Sequence, residues 1–459
     1  MAPTTTGPEI LKGCQLCIWE QWNRQFTGKE IRFDKAYSAC CTLGGKHGGL
    51  MPCICMPLSV VCRDRSNDNN WDPFHPCDTA KIILANRLFD GGIDDFWPIN
   101  VTTMLAILTM AGFCMGTELP AVFVFGDSLL EVGNNNYIAT LSRSDYVPNG
   151  IDFGRPTGRF TNNRTIFDII GQQFGLDDFI PPYLAPTTSG PVVLKGVNYA
   201  SGGAGILNLT GYIFIKTINM DGQLDNFVNT RQDILSLIGA SAAQELLSNA
   251  IFTVEMGQND ILNNYLVPVI SVPEQIVVSP QSFISAVIKR YRLQLTRLHS
   301  LGARKFIVVN SAPLGCIPYM RDVNPAAAGA GCYEYANQIA ETFNAQLKSL
   351  ISELNSDFEG SIFLYVDAYK IFSEITQNYA SYGFENADSA CCKLAGNHGG
   401  LIPCTPPSNV CPDRTTYFFW DPYHPTDAAN VVIASYILDG GTDYVWPINV
   451  RQLLNRQMA

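Results

Sequence analysis

The 459-residue chain has no excess of positive charge, no run of like charge and no low-complexity tract. Its formal net charge is −11, from 30 Lys and Arg against 41 Asp and Glu. Phosphate groups are bound by clustered Lys and Arg, so nucleic acid and anionic membranes are excluded as favoured partners. No apolar run reaches the roughly 20 residues of a membrane span. The stretch Met1–Trp19 lacks the basic start and apolar core of an export signal. What remains is an expectation of a small, neutral partner, no stable membrane span and no ordinary leader at Met1.

What is present suits a folded protein: 47% of residues are hydrophobic and 15% charged. A chain of this length buries a full core without metals or disulfides. It nevertheless carries 15 cysteines, an odd number and a high one for a reducing compartment. Cys316, Cys332, Cys391, Cys392, Cys404 and Cys411 form an even C-terminal set that reads as disulfides. Zinc is the alternative for Cys391, Cys392, His398, Cys404 and Cys411, but their spacing is not that of a Cys-x-x-Cys pair. Cys14 and Cys17 have that spacing, and no redox-domain pattern follows them. His299, on a helical stretch, reads as structural.

Residues Phe33–Val101 align with Phe384–Val450 with one two-residue gap and about half the positions identical. Each copy has a double cysteine, His-Gly-Gly-Leu and Trp-Asp-Pro-aromatic-His-Pro, and ends in Trp-Pro-Ile-Asn. The arrangement looks like the tail of one protein placed ahead of a complete second one, as in a fusion of tandem gene copies. Between the copies, Met104–Met115 is apolar and signal-like, as if the second protein began there. The expected divisions are 1–32 unassigned, 33–101 a partial duplicate, 102–118 a signal-like linker and 119–450 the working domain. An intrachain swap, with 33–101 competing for the place of 384–450, is the alternative to an inert appendage.

From Leu119 onward, short apolar runs at Ala121–Phe125, Val197–Tyr199, Ile251–Glu255, Phe306–Val309 and Ile362–Val366 alternate with helical patterns. These predict an α/β domain with a parallel sheet covered on both faces. Ser128 follows the first strand in Phe-Gly-Asp-Ser-Leu, where open α/β sheets gather reacting groups. Capping of a following helix by Asp127 or Ser128 is the bland reading. Asp421 and His424 stand three apart in a Pro-rich turn. A serine hydroxyl needs a base, and the base a carboxylate, and this pair supplies both; a helix cap at Thr426 or Asp427 is compatible with that. The Gly-rich run Gly196–Gly205 and Asn259, in Gly-Gln-Asn-Asp, can donate to an oxyanion. The earlier Asp72 and His75 bring no serine, Gly-rich or Asn segment.

These four segments, in this order, resemble the plant-type GDSL esterase/lipase family of the SGNH hydrolase superfamily, over about residues 119–450. Gln258, where the family usually has Gly or Ser, is a mild departure. The resemblance implies a flavodoxin-like three-layer sandwich with a five-stranded parallel sheet. It implies Ser128 as nucleophile, His424 as base and Asp421 as its orienting carboxylate, with Ser128, Gly202 and Asn259 as oxyanion donors. No metal or other cofactor is expected, and the substrate is a small acyl ester. Transacylation from the same site and an inactive fused product are the alternatives. The other common serine-hydrolase fold is disfavoured, because no Gly-x-Ser-x-Gly elbow occurs. The family also implies secretion, with Asn100, Asn163 and Asn208 as glycosylation triplets; a true start at Met1 would leave the protein in the cytoplasm.

Overall fold

The computed structural model describes residues 120–266, 278–324, 331–454 and 456, together with four short strands nearer the N-terminus. The chain divides into two units, Met1–Glu118 and Leu119–Ala459. Met104–Met115, Cys14, Cys17, Asp72, His75 and Asn100 lie outside the described residues.

In the second unit, six strands form one sheet: β1 (Val122–Gly126), β2 (Gly196–Asn198), β3 (Ile251–Glu255), β4 (Lys305–Val309), β5 (Ile362–Val366) and β6 (Val445–Trp446). Their order is β2-β1-β3-β4-β5-β6. The first five are parallel, and β6 adds an antiparallel edge, pairing Val445 with Val366. β1, β3, β4 and β5 are fully buried five-residue runs, as strands covered on both faces must be.

The helices α1 (Ile166–Phe174), α2 (Met220–Asn249), α3 (Pro280–Ser300), α4 (Glu334–Asp357), α5 (Ala368–Gln377) and α6 (Asp427–Asp439) supply the covers. Crossovers between parallel strands are right-handed. The connections β2 to β3, β3 to β4 and β4 to β5 advance one way along the sheet, which puts α2, α3 and α4 on one face. The connection from β1 to β2 runs the other way and puts α1 on the opposite face, where α6 packs against it. The result is the three-layer doubly wound sandwich expected from the sequence, with strand order 2-1-3-4-5 plus one edge strand. In such a sheet the order reverses beside β1, so a crevice opens at the carboxyl ends of β1 and β3.

Beyond β5 the chain makes two small sheets. Asn386–Ala390 pairs in parallel with Tyr417–Phe419, and Cys392–Lys393 pairs antiparallel with Asn409–Val410. Disulfides Cys391–Cys411 and Cys392–Cys404 tie this segment, and Cys316–Cys332 closes a loop before α4. The four thiols considered for zinc are thus used as disulfides. In the first unit, Lys35–Ala39 pairs in parallel with Asp68–Asn70, and Cys41–Thr42 antiparallel with Val60–Val61. These pairings have the register of the later segment once the two sequences are aligned.

Candidate active site

Gly126 ends β1 at a point where a Cβ would meet the Glu255 carbonyl oxygen of β3 at 3.1 Å. The chain then turns, and no α-helix follows until Ile166. Asp127 caps this turn, not a helix: its Oδ1 accepts the Leu129 N–H at 3.0 Å. The turn presents Ser128 at the crevice.

The base comes from the far end of the chain. Ser128 Oγ lies 2.7 Å from His424 Nε2, and His424 Nδ1 lies 2.7 and 2.8 Å from the two oxygens of Asp421. Asp421 Oδ1 also accepts the backbone N–H groups of Tyr423 and His424, each at 2.8 Å, which fixes the carboxylate within its own turn. Both side chains are buried. Trp420 N–H donates to the His424 carbonyl, and the Phe160 ring stands 5.0 Å from the imidazole. Thr426, in the same turn, accepts the Ala429 N–H and caps α6, as the sequence allowed.

Asn259 follows β3, across the crevice from Ser128. Its Nδ2 donates to Asp127 Oδ2 at 3.0 Å and to the Ala204 carbonyl at 2.9 Å, while Asn263 donates to its Oδ1. The amide nitrogen is therefore held on the side of the serine turn and the Gly-rich run. Gly202 requires a correction. Its N–H donates to the buried Glu131 Oε2, so it is not available to a substrate oxygen. The adjacent Gly203 lines the cavity instead, at φ +80, where a Cβ would meet the Phe214 ring at 2.5 Å. Among the described residues, the N–H groups of Ser128 and Gly203 have no hydrogen-bond acceptor.

Three acids near the site escaped sequence reasoning. Asp260 accepts the N–H groups of Ile206 and Leu207 and the Thr210 hydroxyl, clamping the Gly-rich run to the end of β3. Burial pushes its carboxyl up to about 6, against the pull of those donors. Glu131, fully buried, is pushed up to about 8 by burial, opposed by backbone N–H groups that include those of Asn135 and Gly202. Glu255, at the end of β3, is also raised by burial. Asp127 is raised by burial first and then by the charge of Glu255. Gln258, the departure from the family pattern, donates to Glu255 Oε1 at 2.6 Å. The warnings in the sequence were Glu255 at the end of an otherwise apolar strand and Asp260 inside the Gly-Gln-Asn-Asp segment.

The crevice opens to solvent. Ser128, Gly203, Asn259 and His424 line it, and Leu141, Phe160, Phe214, Leu262, Ile317 and Tyr423 give it apolar walls. No described helix is long and apolar enough to cross a membrane.

A serine, a histidine and an aspartate aligned at the switch point of a doubly wound parallel sheet define the class: an α/β ester hydrolase. Residues 122–437 match the GDSL-like lipase/acylhydrolase family, and the chain belongs to that family. A GDSL esterase/lipase of Arabidopsis thaliana is 57% identical over 353 residues, covering 77% of this chain and 96% of its own length. A second from the same plant is 46% identical over 343 residues, covering 74% of this chain and 88% of its own. A solved lipase from a goat rumen metagenome covers 69% of this chain and 94% of its own at 13% identity and a TM-score of 0.31, too slight a likeness to bear on fold or function. The protein is an esterase or lipase acting on small esters, and the alternatives of transacylation and of an inactive product are not favoured.

Proposed function

We propose that Ser128 is the nucleophile of this esterase, with His424 as general base and Asp421 as the carboxylate that orients it. The unbroken line from Ser128 Oγ through the imidazole to Asp421 carries this reading. His424 takes the Ser128 proton as the oxygen attacks the ester carbonyl. The oxyanion is met by the N–H groups of Ser128 and Gly203, in place before the charge develops, and by Asn259 Nδ2 once one of its two N–H groups leaves Asp127 Oδ2 or the Ala204 carbonyl. The imidazolium returns its proton to the leaving alcohol, and water activated by the same base releases the acid. The apolar walls favour carboxylic esters with an acyl chain. Ser128→Ala, assayed on a short-chain nitrophenyl ester, is expected to lose activity by orders of magnitude at unchanged fold; wild-type turnover would overturn the assignment.

We read 119–450 as the catalytic domain, 33–101 as a partial duplicate of its last segment, 102–118 as a signal-like linker and 1–32 as unassigned. Self-match in sequence and equivalent strand register support the duplicate. Three disulfides support an oxidising, extracellular site of action, and the exposed Asn208 suits glycosylation there.

A further inference from the structure

Downstream of the serine turn lies a buried polar cluster that the reaction does not consume. Glu131 is fully buried, and Asn135 is 1% exposed. Glu131 Oε1 accepts the Asn135 N–H at 2.7 Å, and Oε2 accepts the Gly202 N–H. Asn135 Nδ2 in turn donates to the Gly202 carbonyl at 3.0 Å and to the Ser142 carbonyl at 2.7 Å. Asn135 Oδ1 accepts the Ser201 hydroxyl at 2.6 Å. Gly202 is thus gripped at both of its backbone polar groups by two side chains from another part of the chain.

The consequence lies one atom further on. The Gly202 carbonyl and the Gly203 N–H belong to one planar peptide, and in a trans peptide they point in opposite directions. Holding the carbonyl against Asn135 therefore turns the Gly203 N–H away from the cluster, and Gly203 lines the cavity beside Ser128. This peptide lies between two glycines, the residues least able to resist rotation on their own. Its orientation has to be imposed from outside.

We propose that Glu131 and Asn135 are positioning residues that lock the Gly202–Gly203 peptide with its N–H facing the oxyanion. Neither touches substrate: Asn135 holds the peptide, and Glu131 holds Asn135 and Gly202. The proposal rests on Ser128 and Gly203 having the roles assigned above. Asn135 also braces Ser142 in the cavity wall, so a merely structural role would be felt in substrate binding as much as in turnover.

The test is steady-state hydrolysis of a nitrophenyl ester, together with inhibition by a phenylboronic acid, whose serine adduct is tetrahedral and anionic. Asn135→Ala is expected to lower kcat roughly 100-fold, with KM within about threefold and boronate affinity falling in parallel with kcat. A kcat within twofold of wild type, or a loss carried by KM with boronate affinity unchanged, overturns the proposal. Should Asn135→Ala fail to fold, Glu131→Gln is read by the same criteria. Failure of the underlying reading has a different signature: Ser128→Ala stays active and the boronate does not compete in the wild type.

Discussion

Ser128, Asp421 and His424 were legible in the sequence because each sits in a short contiguous motif whose chemistry needs those residue types. Their meeting across 296 positions was read from the chemistry each needs and from the family resemblance, since no local pattern brings the serine to the histidine. The choice between Gly202 and Gly203 was not legible either. Which of two adjacent glycines offers its N–H depends on Glu131 and Asn135, some 70 positions upstream, and no local pattern records that partnership. In the proposed triad, the role of Asp421 is to hold Nδ1 of His424 and so set which ring nitrogen faces Ser128. Asp421→Asn, nearly the same in shape, is expected to lower kcat by about 10³–10⁴ at a barely altered melting temperature. A kcat within tenfold of wild type would show that the carboxylate does not orient His424.

At the scale of elements, the five parallel strands were found within a residue or two because doubly covered strands are continuous apolar runs. The edge strand β6 was missed: two residues carry no period, and their pairing with β5 is fixed only by the tertiary fold. The helix expected directly after Ser128 is a turn, with the Asp127 side chain accepting the Leu129 N–H. The disulfide-tied segment has a consequence for catalysis. Cys391 and Cys392 donate their N–H groups to the carbonyls of Phe419 and Trp420, and Trp420 is buried against Cys391, Cys392 and Cys404. The turn holding Asp421 and His424 therefore hangs from the disulfide cluster, and Cys404 itself lines the crevice. Replacing Cys392 and Cys404 together by serine is expected to cost about 2–4 kcal/mol of stability by denaturant titration and to lower kcat/KM. Unchanged kcat/KM would show that the turn stands without that bridge.

For the whole molecule, the buried acids set how stability varies with pH. Asp127, Glu131, Glu255 and Asp260 all have folded-state values above their ordinary ones of 3.8 or 4.5, because burial disfavours their charge. The folded chain therefore holds protons that the unfolded chain has released, and stability must fall as pH rises. The contribution is complete below about 4 and is lost progressively as pH rises through about 6 for Asp260 and about 8 for Glu131. Asp152, held low by Arg414, acts in the opposite sense but only below 3.8, and His299, held below its ordinary 6.5 by burial and by Arg304, opposes the four acids only up to about 6.5. The melting temperature should be higher at pH 5 than at pH 8. The reverse order would mean that these carboxyls are not buried as described.

The central claim is that one serine, Ser128, forms the covalent intermediate, and that the unit from Leu119 onward suffices for it. Labelling with a fluorophosphonate, followed by peptide mass spectrometry, tests it on the full chain and on a chain starting at Met104. The account predicts one label per molecule, on the peptide containing Ser128, in both chains, and none after Ser128→Ala. A label on another residue, or undiminished labelling of Ser128→Ala, would contradict it.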